Sequence, residues 1–379
     1  MTKLRPTLPA GSKYRFPPIV ETPADLVVEQ ILQQIAVSPD VLNEAKRRRD
    51  LVLRITREHE AANRTYVSGS IAHGTHNAPL GDADGGVVVD RRLQEFREFG
   101  PDAGPEARGP EAFYRSFAAF IELRVRDAGY PRLTLDLTGN RAIKFEFNEP
   151  LEFEESGAVD PYVDLIVALR RDQEHRGLWI PNRRARWWDP ANPERHTWLM
   201  TERDDRALAV HRAHVVRLAK RAVKQDGVRT GLGPVVCSWN LSALSLDLVS
   251  ERRPIATALA AFLTDASSSI AVSLTDDPAR VAGPIKLPDG VTQELAARRL
   301  AGFADVVWAA VSSRSSGGAK AELGALFESE LDEIRVRDQG SLLGHPLNRS
   351  LQQRDVAGVT ATLGSQVSLK PTASDGSRR

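Results

Sequence analysis

The spacing of apolar residues changes along the chain from helical to strand-like and then back to helical. Apolar positions three and four apart predict helices over 23–36, 40–63, 111–128, 201–226, 234–250, 254–263 and 292–312. Alternating or continuous apolar runs predict strands over 65–69, 86–90, 133–137, 143–147 and 162–169. This order predicts a lobe of mixed strands and helices followed by a helical lobe.

The two ends of the chain differ in composition from the segments between them. Residues 1–22 are Pro-rich and lack periodicity, so we expect an N-terminal arm there. The polar segment 346–379 is expected to be a flexible tail. Between them we expect the mixed lobe over 23–190, with two leading helices, and the helical lobe over 191–345. The charged run at 47–49 is interpreted as a solvated helix face.

The overall composition is that of a globular protein, with 379 residues and 41% hydrophobic positions. Lys and Arg number 51 against 50 Asp and Glu, which excludes a chain that is basic throughout but allows a local basic cleft. The single cysteine, Cys237, cannot form an internal disulfide and favours a reducing compartment. We find no apolar run that approaches the roughly 18 residues of a membrane span. The N-terminus also lacks a secretory signal, so we expect a cytoplasmic protein without a membrane partner.

The stretch from Val67 to Val89 carries the most informative polar residues. Gly69 and Ser70 follow an apolar strand and precede a segment that can open a helix, an arrangement that exposes backbone N–H groups to an anion. Asp82 and Asp84 come twelve and fourteen positions after Ser70. Residues i and i+2 of a strand share a face, so both carboxylates can reach one Mg²⁺ site.

A third carboxylate is expected where two metal ions assist phosphoryl transfer. Asp164 is the favoured candidate because it is an acidic residue inside an apolar strand, where a charge needs a partner. Asp136, in the strand 133–137, is the competing candidate. The structural alternative for the whole stretch is a Gly- and Asp-rich turn before a hydrophobic strand.

These residues resemble the motifs of the polymerase-β-like nucleotidyltransferases, and more closely those of the oligoadenylate-synthase-like branch. That branch includes the bacterial cGAS/DncV-like nucleotidyltransferases (CD-NTases). Besides the three aspartates, four segments are similar to elements of the branch: 69–75, 187–196, 215–220 and 237–241. The similarity runs from about Tyr66 to Leu248, about half of the chain. Gly85 and Gly86 depart from the pattern, which has apolar residues after the second aspartate.

The resemblance implies an α+β fold, a polymerase-β-like nucleotidyltransferase lobe with a mixed sheet and flanking helices, followed by a helical lobe. The active-site cleft would lie between the lobes. Two Mg²⁺ ions, which Mn²⁺ can replace, would bind the triad Asp82, Asp84 and Asp164. Gly69 and Ser70 would hold phosphates. The donor triphosphate and its base would be contacted by Lys220, Ser238 and Trp239.

Two of these roles have structural alternatives. Trp239 can equally be a core aromatic residue of an amphipathic helix, and Lys220 an ordinary exposed helix lysine. His73 and His76 are interpreted as loop histidines near phosphates, because no further clustered ligands favour zinc. The segment 182–188 mixes arginine with tryptophan, which can bind phosphates and bases or form a solvated hinge.

The function that the resemblance implies is synthesis of a cyclic di- or oligonucleotide from NTPs, with ATP as an expected substrate. The product would be a second messenger in anti-phage signalling, recognised by a downstream effector. An alternative is transfer of a nucleotide to a tRNA 3′ end or a protein, the only interpretation that involves nucleic acid. A further alternative is an inactive nucleotide-binding sensor.

Overall fold

A computed structural model of the chain describes residues 16–89, 100–101, 110–153, 157–171 and 177–342. The helices, numbered here in chain order, are α1 Pro23–Gln34, α2 Pro39–Arg57, α3 Gly69–His73, α4 Glu111–Asp127, α5 Pro193–Thr201, α6 Arg206–Thr230, α7 Ser238–Leu248, α8 Ile255–Val272, α9 Gln293–Val311 and α10 Ser316–Leu342. The strands are β1 Ala62–Val67, β2 Asp82–Val89, β3 Thr134–Asp136, β4 Ile143–Glu146, β5 Leu151–Phe153, β6 Gly157–Val159, β7 Tyr162–Arg170, β8 Leu178–Asn182 and β9 Trp187–Ala191.

Seven strands form one mixed sheet. Its central path runs β1-β2-β7-β4-β3, and β8 joins the sheet beside β7 and carries β9. The pair β2 and β7 is parallel, whereas the other pairs are antiparallel. Strands β5 and β6 form a separate ribbon. The mixed sheet followed by helices confirms the predicted α+β fold.

The sheet has an apolar face and a polar face. Ala83 and Val87 of β2 point to the same side as Val163 and Leu165 of β7, in a buried cluster with apolar residues of α2 and α4. Because side chains alternate along a strand, the even-numbered residues of β2 and β7 point to the opposite side. The helices α2 and α4 therefore stabilise the sheet from one side and leave the aspartates on the other.

The two glycines that depart from the family pattern make room for neighbouring side chains. A Cβ atom on Gly85 would lie 2.9 Å from Leu53 Cδ2 on the helix side of the sheet. A Cβ atom on Gly86 would lie 2.2 Å from Tyr66 Cζ on the other side. The phenol of Tyr66, from the adjacent strand β1, thus occupies the space beside Gly86.

A buried arginine connects α2 to the segment that precedes β7. Arg48 is fully buried, and its guanidinium donates hydrogen bonds to Glu44, Asp160 and two backbone carbonyls, of Glu149 and Pro161. The interpretation of 47–49 as a solvated face is therefore wrong for Arg48 and Arg49, because both are buried and their charges are paired with carboxylates. Charged side chains of a helix can be buried when carboxylates and carbonyls of another segment accept their hydrogen bonds.

The helices after β9 pack around α8. This helix contacts α9, α6, α1 and α7. Among the described residues it is the one helix that is long and apolar enough to span a membrane by length and composition, a stretch that the sequence analysis did not single out. Half of it is buried in the protein. Asp25 of α1 accepts a hydrogen bond from the Ala256 N–H at the start of α8.

By its internal contacts the chain divides into two units, Met1–Leu331 and Asp332–Arg379. The first unit contains the sheet and the helices that surround it. Of the second unit the described part is the end of α10, up to Leu342. The boundaries expected at 190 and 345 remain predictions; most of the expected arm and all of the expected tail lie outside the described residues.

Candidate active site

Three carboxylates lie on the polar face of the sheet, on two adjacent parallel strands. Asp84 of β2 is directly opposite Asp164 of β7, and Asp82 is opposite Tyr162. Paired residues of parallel strands point to the same face, as do residues i and i+2 of one strand. The structure therefore brings together the three aspartates that the sequence indicated.

The electrostatics of this group show that its negative charge is poorly compensated. Burial, with the nearby charges of Asp82 and Asp164, raises the pKa of Asp84 to about 7. Burial and the charge of Asp82 raise the pKa of Asp164 to about 6, although Lys144 opposes the shift. A bound cation would favour the ionised carboxylates and reverse both shifts.

Gly69 packs against one of these carboxylates. Its φ is +74°, in the left-handed region, and a Cβ atom there would lie 1.8 Å from Asp84 Oδ2. The Ser70 backbone donates a hydrogen bond to Asp84, which lowers the pKa of that carboxyl against the effect of burial. Only glycine fits this position, because the loop turns sharply and the carboxylate fills the space of a side chain.

Lys220 of α6 faces the carboxylates and is not an exposed surface lysine. Its Nζ donates a hydrogen bond of 2.9 Å to the Thr75 carbonyl, just after α3. Burial lowers the pKa of its amine, and the negative charges of Asp82 and Asp84 oppose that shift. A basic group thus lies beside the acidic one at the end of the segment Gly69–Thr75, which is called the phosphate loop after its expected role.

Ser238 and Trp239 lie at the start of α7. Ser238 is exposed, whereas Trp239 is half-buried and so is not a core residue. The indole lies 4.4 Å from the ring of His196 and 5.8 Å from the ring of His73, measured between ring centroids. An indole with one part open to solvent can accept a stacked base.

Asp136, the competing candidate for the third carboxylate, lies farther than Asp164 from the strand that carries Asp82 and Asp84. It is opposite Lys144 of β4, which is itself opposite Asp164, so two strands separate Asp136 from Asp84. Its side chain accepts hydrogen bonds from the N–H and hydroxyl of Thr138, and these lower its pKa. Its carboxylate is therefore satisfied locally.

The donor set suits a hard divalent cation. Within the described ranges no group of three or more His, Cys, Asp or Glu side chains is already arranged as metal ligands. Asp82, Asp84 and Asp164 nevertheless supply the carboxylate oxygens that Mg²⁺ prefers, on one face and with excess negative charge. We conclude that these residues fit Mg²⁺, provided that their side chains turn toward the ion.

The two histidines of this region are neutral groups. Burial, with the charges of nearby basic residues, lowers the pKa of both His73 and His76 to about 4. His73 Nε2 lies 3.2 Å from the hydroxyl of Thr197, and His76 Nδ1 lies 3.4 Å from the Ser70 carbonyl. Both histidines therefore pack close to the short helix α3.

The arginine-rich segment 182–188 forms the turn between β8 and β9. Arg183 donates hydrogen bonds of 2.8 Å to Glu111 and to the Gly139 carbonyl, so this arginine has a structural role. Arg184 and Trp187 are exposed.

Sequence reasoning assigned no role to two groups near the site. Tyr66 is buried and, among the described residues, its hydroxyl has no hydrogen-bond partner. His196 and Asp277 form a pair at 2.6 Å across 81 positions. The segment 187–196 resembles a family motif, but periodicity could not show that it meets the loop that carries Asp277.

Comparison with known proteins gives matches at the level of structure. No protein-family model matches the chain, and no curated protein matches its sequence significantly. The CD-NTase CdnG of Bradyrhizobium diazoefficiens, solved with GTP, is 18% identical, with 84% of this chain and 99% of that chain covered and a TM-score of 0.59. CdnC of E. coli MS115-1, solved with ATP, is 16% identical, with 82% and 99% covered and a TM-score of 0.52. The Vibrio cholerae cyclic AMP-GMP synthase DncV, solved with the linear intermediate pppA(3′,5′)pG, is 12% identical, with 82% and 95% covered and a TM-score of 0.55. The chain therefore has the fold of the CD-NTases, the cGAS/DncV-like nucleotidyltransferases.

Proposed function

We propose that this protein is a Mg²⁺-dependent nucleotidyltransferase that joins NTPs into a cyclic di- or oligonucleotide. The observation that carries the proposal is the pairing of Asp84 with Asp164 on adjacent strands, with Asp82 on the same face and Gly69 packed against Asp84. Solved proteins of this fold include a GTP complex, an ATP complex and a cyclic AMP-GMP synthase with its linear intermediate.

The reaction transfers a nucleotidyl group from one NTP to the hydroxyl of another. A ribose hydroxyl oxygen releases its proton to water and bonds to the α-phosphorus, the bond from that phosphorus to the oxygen bridging to the β-phosphate breaks, and pyrophosphate leaves. A further transfer of the same kind closes the ring of a cyclic product. Asp82, Asp84 and Asp164 would hold the metal ions. Bound Mg²⁺ supplies charge stabilisation at the attacking and leaving oxygens.

A second set of residues around the carboxylates forms the wall of the site that would contact the substrate. The backbone of Gly69 and Ser70, the amine of Lys220 and the hydroxyl of Ser238 contact the triphosphate, while Trp239 stacks on the base. Stacking of a base on an aromatic residue contributes about 1–3 kcal/mol and tolerates different bases. This wall supports binding of several NTPs, with ATP as the first substrate to test.

The product acts as a second messenger in anti-phage signalling, recognised by an effector protein in the cytoplasm. The support is the fold, shared with a cyclic AMP-GMP synthase, together with the family-like motifs around the carboxylates.

Labelled NTPs test the proposal directly. Purified protein is incubated with each NTP and with mixtures, with Mg²⁺ or Mn²⁺, and then treated with phosphatase; we expect a resistant product, identified by mass spectrometry. Asp82→Asn and Asp164→Asn are expected to abolish it. Asp136→Asn is the matched control, because it removes a carboxylate from β3, two strands from the strand of Asp164 in the same sheet. This variant is expected to retain the product.

Other outcomes contradict the proposal. Label in acid-precipitable RNA or protein would show transfer to a macromolecule. Tight NTP binding without turnover, unchanged by Asp84→Ala, would show a sensor. A resistant product in Asp164→Asn but not in Asp136→Asn would contradict only the assignment of Asp164 and would identify Asp136 as the third carboxylate.

A further inference from the structure

A pair between His196 and the buried Asp277 connects a distant loop to the half-buried Trp239. We propose that Asp277, acting through His196, is a positioning residue that orients Trp239 for the base of a bound nucleotide. The inference rests on the proposed function because it places a nucleotide base on Trp239. It adds a loop more than 35 positions away in sequence to the determinants of substrate binding.

Asp277 is fixed by hydrogen bonds on several sides. Its carboxylate accepts N–H groups of Val281 and Ala282 at 3.0 Å each, and that of Ala279 at 3.3 Å. Burial would raise its pKa, but the hydrogen bonds from His196 and from the loop outweigh burial and lower the pKa to about 2. The group is therefore an ionised acceptor at neutral pH.

His196 transmits this fixed position to the indole. Its Nε2 lies 2.6 Å from Asp277 Oδ1, and because an ionised carboxylate only accepts, Nε2 carries the proton. The ring then lies 4.4 Å from the indole of Trp239 with an interplanar angle of 40°. The hydrogen bond fixes the rotation of the imidazole, and the imidazole limits the rotation of the indole.

The same loop also holds the backbone beside Trp239. Asn240 donates hydrogen bonds to Thr275 Oγ1 at 3.3 Å and to the Ile285 carbonyl at 3.4 Å, and it accepts the Cys237 N–H at 3.1 Å. The loop is itself closed by a bridge between Thr275 and Ile285. Both the start of α7 and the ring of Trp239 are thus held from one segment.

The arrangement also reaches the phosphate loop. His73, in the short helix that begins at Gly69, contacts Trp239 and lies 3.2 Å from Thr197, the neighbour of His196. The base side and the phosphate side of the site are therefore connected through packed rings. A side chain that is fixed before the ligand arrives loses less conformational freedom on binding.

A double-mutant cycle on nucleotide binding tests this role. Dissociation constants for the α,β-methylene analogues of ATP and GTP with Mg²⁺ are measured for the full chain, Asp277→Asn, Trp239→Ala and the double variant. Asp276→Asn is the matched control, because Asp276 is the exposed neighbour in the same loop. His196→Gln, which removes the ring beside Trp239, repeats the cycle, and thermal melting identifies variants that fail to fold.

We expect Asp277→Asn to weaken binding by about fivefold or more, since stacking accounts for about 5- to 150-fold at about 1.4 kcal/mol per factor of ten. In the Trp239→Ala background the same change should alter binding by less than about twofold. Equal losses in both backgrounds, or an equal loss in Asp276→Asn, would overturn the inference. Coupled binding without NTP turnover would overturn only the proposed function, whereas absence of binding by folded protein would overturn both.

Discussion

Replacement of Gly69 by alanine tests whether the position of the phosphate loop against Asp84 is required for activity, because it changes the shape of the loop without removing a polar side chain. The added Cβ atom would lie 1.8 Å from Asp84 Oδ2, where contacts below 3.0 Å are not tolerated, so the carboxylate or the loop must retreat by more than about 1 Å. The φ of +74° adds strain of about 1–2 kcal/mol for any residue with a side chain.

Gly74 provides a control for the strain alone. Its φ is +71°, nearly the same, but a Cβ atom there would have its nearest neighbour at 3.9 Å. Gly74→Ala should therefore lose about 1–2 kcal/mol of unfolding free energy and keep most of its activity. Gly69→Ala should lose about 1–3 kcal/mol more through overpacking, and about 100-fold in turnover, since a 1 Å misplacement can have that effect.

The assays are urea unfolding and the conversion of labelled NTPs with Mg²⁺. Unfolding measures the strain and the clash together, while turnover reports the position of the carboxylate in the folded fraction. Equal losses of stability and of turnover in the two variants would refute the reasoning, because the clash with Asp84 is the difference between them.

Three further predictions concern stability, measured by urea unfolding. Arg48→Met should lower the unfolding free energy by about 3–5 kcal/mol, because it removes a fully buried guanidinium from Asp160 and from the carbonyls of Glu149 and Pro161. The same change at the exposed Arg47 should cost less than about 1 kcal/mol. The depressed pKa of Asp277 should contribute about 2 kcal/mol to the unfolding free energy, present above pH 4 and lost as the pH falls toward 2. The difference in unfolding free energy between the unchanged protein and Asp277→Asn should therefore shrink over that range, and a constant difference would contradict the prediction. Gly86→Ala should destabilise by about 1–3 kcal/mol, and adding Tyr66→Ala should cost less than the sum of the two changes.

The polar face of the sheet could be predicted from the sequence because local rules are sufficient for it. The alternation of side chains places Asp82 and Asp84 together, and the apolar frame of Asp164 indicates a neighbouring buried strand. The strand was predicted to begin at Gly86, whereas it begins at Asp82. The first half of the strand is not predicted, because its two aspartates and two glycines have low strand propensity.

Partners that are distant in sequence could not be predicted in the same way. Arg48 pairs with a carboxylate 112 positions away, and His196 pairs with one 81 positions away. The sequence of a helix shows that a residue is charged, but it does not show which distant segment packs against that residue. The small size of Gly86 likewise has its reason in Tyr66, on another strand.

The contact between the phosphate loop and Asp84 has a thermodynamic consequence for how the protein takes up its ligands. In the free protein the Ser70 backbone donates its hydrogen bond to Asp84. A phosphate that accepts this N–H releases the carboxylate, and a cation that draws the carboxylate away releases the N–H. If the proposed function holds, we therefore expect metal and nucleotide to bind cooperatively, and by reciprocity each would raise the affinity of the other by the same factor.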